Sequence, residues 1–84
     1  MDKTLCVDGL PEWVTEQDLR ELCQAQGHVV TILIARNEEG RSMGYGFVEM
    51  ATHAAAENLV AILNHNAIFG QMIFAARTYP VGRA

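Results

Sequence analysis

Met43-Gly44-Tyr45-Gly46-Phe47-Val48-Glu49-Met50 is the stretch on which the fold turns. Successive side chains of an extended strand alternate between two faces. One face therefore receives Gly44, Gly46, Val48 and Met50, and the other Met43, Tyr45, Phe47 and Glu49. The first set suits an inner face, its glycines leaving room for helices to pack closely. The second sets two aromatic rings near each other on the outer face.

The flanking sequence supplies partners for this strand. Residues 28–36, His-Val-Val-Thr-Ile-Leu-Ile-Ala-Arg, are rich in β-branched residues and read as a strand. Asn37-Glu38-Glu39-Gly40 is a turn, so strands 28–36 and 42–50 form a hairpin. Upstream, residues 3–8 read as a short strand stopped by Gly9-Leu10-Pro11. Thr15 is a helix N-cap with Asp18 three residues on, and Gly27 ends a helix over about residues 15–26. Downstream, Thr52 caps a helix over about residues 52–63, whose apolar stripe is Ala56, Leu59, Val60 and Leu63. Asn64-His65-Asn66 reads as a turn, and residues 71–77 as the last strand.

The order is β-α-β-β-α-β in one domain of 84 residues, with a core over about 3–78 and a short mobile tail over 79–84. This is the α+β, ferredoxin-like split βαβ plan, with a four-stranded antiparallel sheet and both helices on one face. The other face is left open. By alternation Leu5 and Val7, Ile32 and Ile34, and Ile73 and Ala75 point toward the helices. Cys6, Leu33 and Phe74 then join Tyr45, Phe47 and Met43 outside. A contiguous apolar surface of this kind marks a binding site.

Set on the third strand, the octamer resembles that of RNA recognition motif domains, in which a basic residue is followed by Gly, aromatic, Gly or Ala, aromatic and aliphatic residues. Gly44, Tyr45, Gly46, Phe47 and Val48 fit; Met43 and Met50 do not. Leu5-Cys6-Val7-Asp8-Gly9-Leu10 is similar to the family's hexamer on the first strand, with Cys6 in place of the usual aromatic and Gly9 in place of the usual Asn. Thr15-Glu16 with Leu19, then Gly27, and Leu63-Asn64 before the last strand extend the resemblance to about residues 3–78.

The resemblance implies non-catalytic binding of single-stranded RNA, with bases stacked on Tyr45 and Phe47; single-stranded DNA is a possible competitor. Phe74 and Leu33 flank the stack, and Glu49 is placed to accept a hydrogen bond from a base. Arg41, two residues before Met43 and by alternation on the same side of the strand as Met43 and Tyr45, stands in for the basic residue that Met43 removes. Arg36 and Arg77 end strands and are further phosphate candidates, as is Lys3. With Cys6 in place of a ring and few cations, the expected affinity is modest and its salt dependence shallow.

Charge bears on the same question. The formal net charge is −4, whereas a nucleic-acid binder is usually basic. Residues 1–26 carry Asp2, Asp8, Glu12, Glu16, Asp18 and Glu21 against Lys3 and Arg20. Residues 27–84 carry four acids against four arginines, so the excess lies in and before the first helix. That acidity, together with the apolar open face, keeps a second reading alive: a protein-interaction module, or self-association through the face, where a monomer is otherwise expected. An Arg-x-Phe signature before the last strand would support one such class, but Asn66-Ala67-Ile68 stands there.

Catalysis is disfavoured. The segment Asp8-Gly9-Leu10-Pro11-Glu12 lacks the Gly-rich, Arg-bearing phosphate loop of an acylphosphatase. Cys6 and Cys23 lie 17 apart with no C-x-x-C, which gives no metal or cofactor signal and fits a reducing intracellular setting, cytoplasm or nucleus. His28, His53, His65 and Ser42 are scattered and read as surface residues. Trp13 reads as a local packing anchor. No run approaches the roughly 18 apolar residues of a membrane span, and no signal peptide is expected at the start.

Overall fold

A computed structural model of the chain describes residues 3–78. The tail expected over 79–84 lies outside them. The elements run β1 Thr4–Asp8, α1 Glu16–Gln24, β2 Val29–Arg36, β3 Ser42–Met50, α2 His53–Leu63, β4 Asn66–Ile68 and β5 Gln71–Thr78. They form an antiparallel sheet in the order β2-β3-β1-β5-β4. The split βαβ plan therefore holds, with five strands among the described residues against the four expected from the pattern. The addition is β4, three residues too short to show an alternation. It pairs with β5 through a two-residue turn, Phe69-Gly70, in which both residues have positive φ (58° and 86°). Such turns match the twist of paired strands.

Local chemistry starts both helices. Thr15 Oγ1 accepts from the Asp18 backbone N–H, and the Asp18 carboxylate accepts from the Thr15 N–H at 2.9 Å, a complete capping box. Thr52 caps α2 by accepting from the Ala55 N–H at 3.1 Å. The helices bury Leu19, Cys23, Ala55, Ala56, Leu59 and Leu63 against Leu5, Val7, Ile34, Val48, Met50, Ile73 and Ala75 of the sheet. The division of strand residues between faces follows the alternation from Tyr45 onward in β3.

Two irregularities tune that alternation. In β2, Val29 pairs with Met50 but Thr31 pairs with Glu49, so Val30 is an extra residue. This bulge turns Thr31 outward and keeps Ile34 buried. In β3 the residues Met43, Gly44 and Tyr45 together oppose Ala35 alone. Gly44 makes that bend with φ +85°, a conformation that glycine adopts without steric cost. Its carbonyl accepts from the Leu10 N–H at 2.9 Å.

Gly46 corrects an expectation. A Cβ there would lie 2.5 Å from the Leu33 carbonyl oxygen and 3.2 Å from Ile34 Cα. The glycine lets β3 approach the backbone of β2; it does not make room for a helix.

Candidate nucleic-acid interface

Strand register builds the open face in rows. Tyr45, Asp8 and Phe74 lie side by side across β3, β1 and β5. Below them lie Leu33, Phe47, Cys6 and Ala76, and then Thr31, Glu49, Thr4 and Thr78. Neighbouring strands stand about 4.8 Å apart, so each row is a continuous strip of side chains.

Tyr45 and Phe47 meet edge to face, with ring centroids 6.1 Å apart and an 83° interplanar angle. Both are half-buried, which fixes their orientation while leaving surface for a ligand. Leu33 and Phe74 flank them and are more exposed, at 41% and 47%. Met43 is exposed at the bend in β3. Glu49 accepts from the Thr31 hydroxyl at 3.2 Å, which ties its carboxylate into the third row.

Cys6 sits at the centre, where β1 passes between Phe47 and Ala76. Two small side chains in one row leave a depression of about 380 Å³ lined by Cys6, Asp8, Asn64, Phe74, Ala75 and Ala76. Burial, and secondarily the charge of Asp8, push the Cys6 thiol pKa up. Asp8 is exposed, and its Oδ1 accepts from the Gly9 N–H at 2.8 Å.

Sequence reasoning missed His65. Its ring meets Phe74 edge to face, with centroids 5.2 Å apart. The residue has φ +63° and its N–H donates to the Ile73 carbonyl. This left-handed conformation brings it back beside β5. No periodic pattern announces such a turn at a non-glycine residue.

Among the described residues, Arg36, Arg41 and Arg77 are not gathered on this face. Arg36 donates from Nη2 to Glu16 Oε1 at 2.9 Å and from Nη1 to the Gly40 carbonyl, which commits it to the start of α1 and the hairpin turn. Arg77 pairs in register with the inward Leu5, and its Nη2 lies 3.1 Å from Nδ1 of His53 at the start of α2. Pairing with an inward residue puts it on the helical side of the sheet. Arg41 lies in the turn before β3, its Nε 4.0 Å from Glu39. The bend at Gly44 breaks the alternation expected to align Arg41 with Tyr45. Among the described residues, the three rows hold two carboxylates, Asp8 and Glu49, and no cation.

Trp13 packs edge-on against Phe69 with centroids 5.6 Å apart, yet stays 62% exposed. It anchors the loop after β1 to the β4–β5 turn. Among the described residues no group of three or more His, Cys, Asp and Glu side chains could hold a metal ion, and no helix is long and apolar enough to cross a membrane.

Comparison with known proteins identifies the family. The family model described as RNA recognition motif matches residues 5–73, and the chain belongs to that family. It is 42% identical over 69 residues to the human RNA-binding motif, single-stranded-interacting protein 3, covering 81% of this chain and 16% of that protein. It is 39% identical over 64 residues to the polyadenylate-binding protein RBP47 of Nicotiana plumbaginifolia, covering 75% of this chain and 15% of that one. The chain thus spans about a sixth of the length of these relatives. The solved Sxl-lethal protein/RNA complex superposes with a TM-score of 0.88 at 26% identity, covering 98% of this chain and 50% of that one.

Proposed function

We propose that this domain binds single-stranded RNA, without catalysis, by stacking bases on Tyr45 and Phe47. The observation that carries the reading is the pair itself: two rings held edge to face on β3, flanked on the same face by Leu33 and Phe74. Stacking on aromatic side chains is how single-stranded bases are held across a sheet, and each stack is worth about 1–3 kcal/mol. Relatives named for RNA binding or single-stranded interaction support it. Phe74 and His65 extend the aromatic surface toward β5.

Titration of short single-stranded RNA against the wild type and a Tyr45→Ala/Phe47→Ala double variant tests the reading. The double variant should lose at least about tenfold in affinity. Equal binding by both proteins overturns it. The same titration with single-stranded DNA shows whether the sugar is discriminated.

A second reading, a face for a basic protein segment, draws on Asp8 and Glu49 lying in rows that hold no cation. Phe74→Ala abolishing a dimer seen without RNA in sedimentation would favour the self-associating form of it.

A further inference from the structure

Asp8 poses a problem for any nucleic-acid reading. It lies in the first row between Tyr45 and Phe74, in register with both. A carboxylate there repels phosphates, and nothing in the fold demands it. Its recorded structural bond is Oδ1 to the Gly9 N–H, which an asparagine could make equally well. Among the described residues it is not paired with a cation: the salt bridges there are those of Arg36 with Glu16 and of Arg41 with Glu39. It also borders the depression between β1 and β5, whose floor is kept low by Cys6 and Ala76.

We propose that this depression is a base-selective subsite, in which the Asp8 carboxylate reads the Watson–Crick edge of guanine. The inference rests on the RNA-binding reading above and names the specificity of the same face.

The chemistry singles out one base. An ionised carboxylate only accepts hydrogen bonds, and it presents two oxygens side by side. Guanine alone offers two adjacent donors on its Watson–Crick edge, N1–H and the 2-amino group. Adenine and cytosine each set an amino donor beside a ring nitrogen that accepts, and that lone pair faces the second carboxylate oxygen. Uracil offers one N–H between two carbonyl oxygens and is repelled on both sides. A bidentate contact of this kind discriminates by roughly tenfold or more. The geometry supplies the other requirements. Phe74, braced edge-on by His65, walls the recess. The small Cys6 and Ala76 let a base sink between the rings, where a third aromatic would hold it above the sheet. The Gly9 N–H holds Oδ1 in place and leaves lone pairs on both oxygens.

The test uses five-nucleotide RNAs, UUUUU and the same strand with G, A, C, inosine or 7-deazaguanine at its centre, titrated against the wild type, Asp8→Asn and Tyr45→Ala/Phe47→Ala. A central G should bind about tenfold more tightly than U. Inosine, which keeps N1–H and lacks the 2-amino group, should fall between them, and 7-deazaguanine, whose Watson–Crick edge is intact, should equal G. Asp8→Asn should erase the preference while binding UUUUU at least as well, because a negative charge has left the face. Thermal melting of the variant confirms that it folds. Equal wild-type affinity for all the oligonucleotides, or a guanine preference that survives Asp8→Asn, overturns the subsite while the stacking reading stands. Binding that Tyr45→Ala/Phe47→Ala leaves unchanged overturns the stacking reading, and wild-type protein that binds none of the RNAs overturns both.

Discussion

Cys6 stands directly opposite Phe47 in the pairing of β1 with β3, with Ala76 on its other side. The middle of the face is therefore low where its flanks are high. Replacing the sulfur by a ring, Cys6→Phe, should add a stacking surface and tighten binding of UUUUU by about 1–3 kcal/mol. It should also fill the depression and abolish any preference for guanine. Fluorescence anisotropy with labelled oligonucleotides measures both effects on one protein.

The two thiols should differ sharply in reactivity. Burial pushes the Cys23 pKa up to about 12, and the side chain has no exposure. Cys6 is also shifted upward but borders the open face. The thiolate is the nucleophile, so at neutral pH a disulfide reagent should modify Cys6 slowly and Cys23 only as the protein unfolds. Raising the pH should speed Cys6. Saturating RNA should protect it, and mass spectrometry after timed quenching distinguishes the two sites.

Arg36 and Arg77 should contribute little to RNA affinity. Each phosphate contact to a single strand adds about 0.7 to the slope of log affinity against log salt. Arg36→Ala and Arg77→Ala should leave that slope unchanged, because both side chains are engaged on the helical side. Arg41→Ala or Lys3→Ala should lower it by about 0.7 each if either meets a phosphate. Titrations at several salt concentrations decide between them.

The Glu16–Arg36 bond gives a pH-dependent contribution of known sign. The hydrogen bond from Arg36 holds the Glu16 carboxyl below the usual carboxylate range. A depressed folded-state pKa stabilises above the unfolded value, and that stability is lost as pH falls through the folded one. The Arg36 and Glu16 side chains are partly exposed, at 35% and 43% respectively, so the pair is worth less than about 1 kcal/mol. Glu16→Gln should cost that much in urea unfolding at neutral pH and nothing in acid below the folded-state pKa.

Gly46→Ala should be among the more damaging small substitutions. The added carbon would press on the Leu33 carbonyl at 2.5 Å, and neither backbone can swing aside as a side chain would. We expect a loss of about 1–3 kcal/mol, read as a lowered denaturation midpoint. RNA affinity should fall as well, because the same shift moves Phe47 relative to Leu33.

Much of this is legible in the sequence alone. Alternation placed Leu5, Val7, Val48, Ile73 and Ala75 inside and Tyr45, Phe47, Leu33 and Phe74 outside, because a two-residue period is fixed by strand geometry. The threonine caps and the helical stripes were equally plain. What escaped depends on breaks in that regularity or on partners distant in sequence. β4 is too short to carry a period. His65 and Phe69 adopt positive φ without being glycine. Arg36 is drawn away by a carboxylate 20 residues earlier. The bend at Gly44 separates Arg41 from the alternation of β3, and Gly46 serves an adjacent strand where a helix was expected.

The engagement of Arg36 and Arg77 on the helical side also bears on how an RNA would arrive. Electrostatic steering raises encounter rates far above the basal 10⁵–10⁶ M⁻¹s⁻¹, roughly, of an unguided collision. A face whose central rows hold carboxylates and no cation has little to steer with. Occupancy then depends on proximity, and a tether to another binding module, which can supply millimolar effective concentrations, would bring this domain to a strand more effectively than its own field.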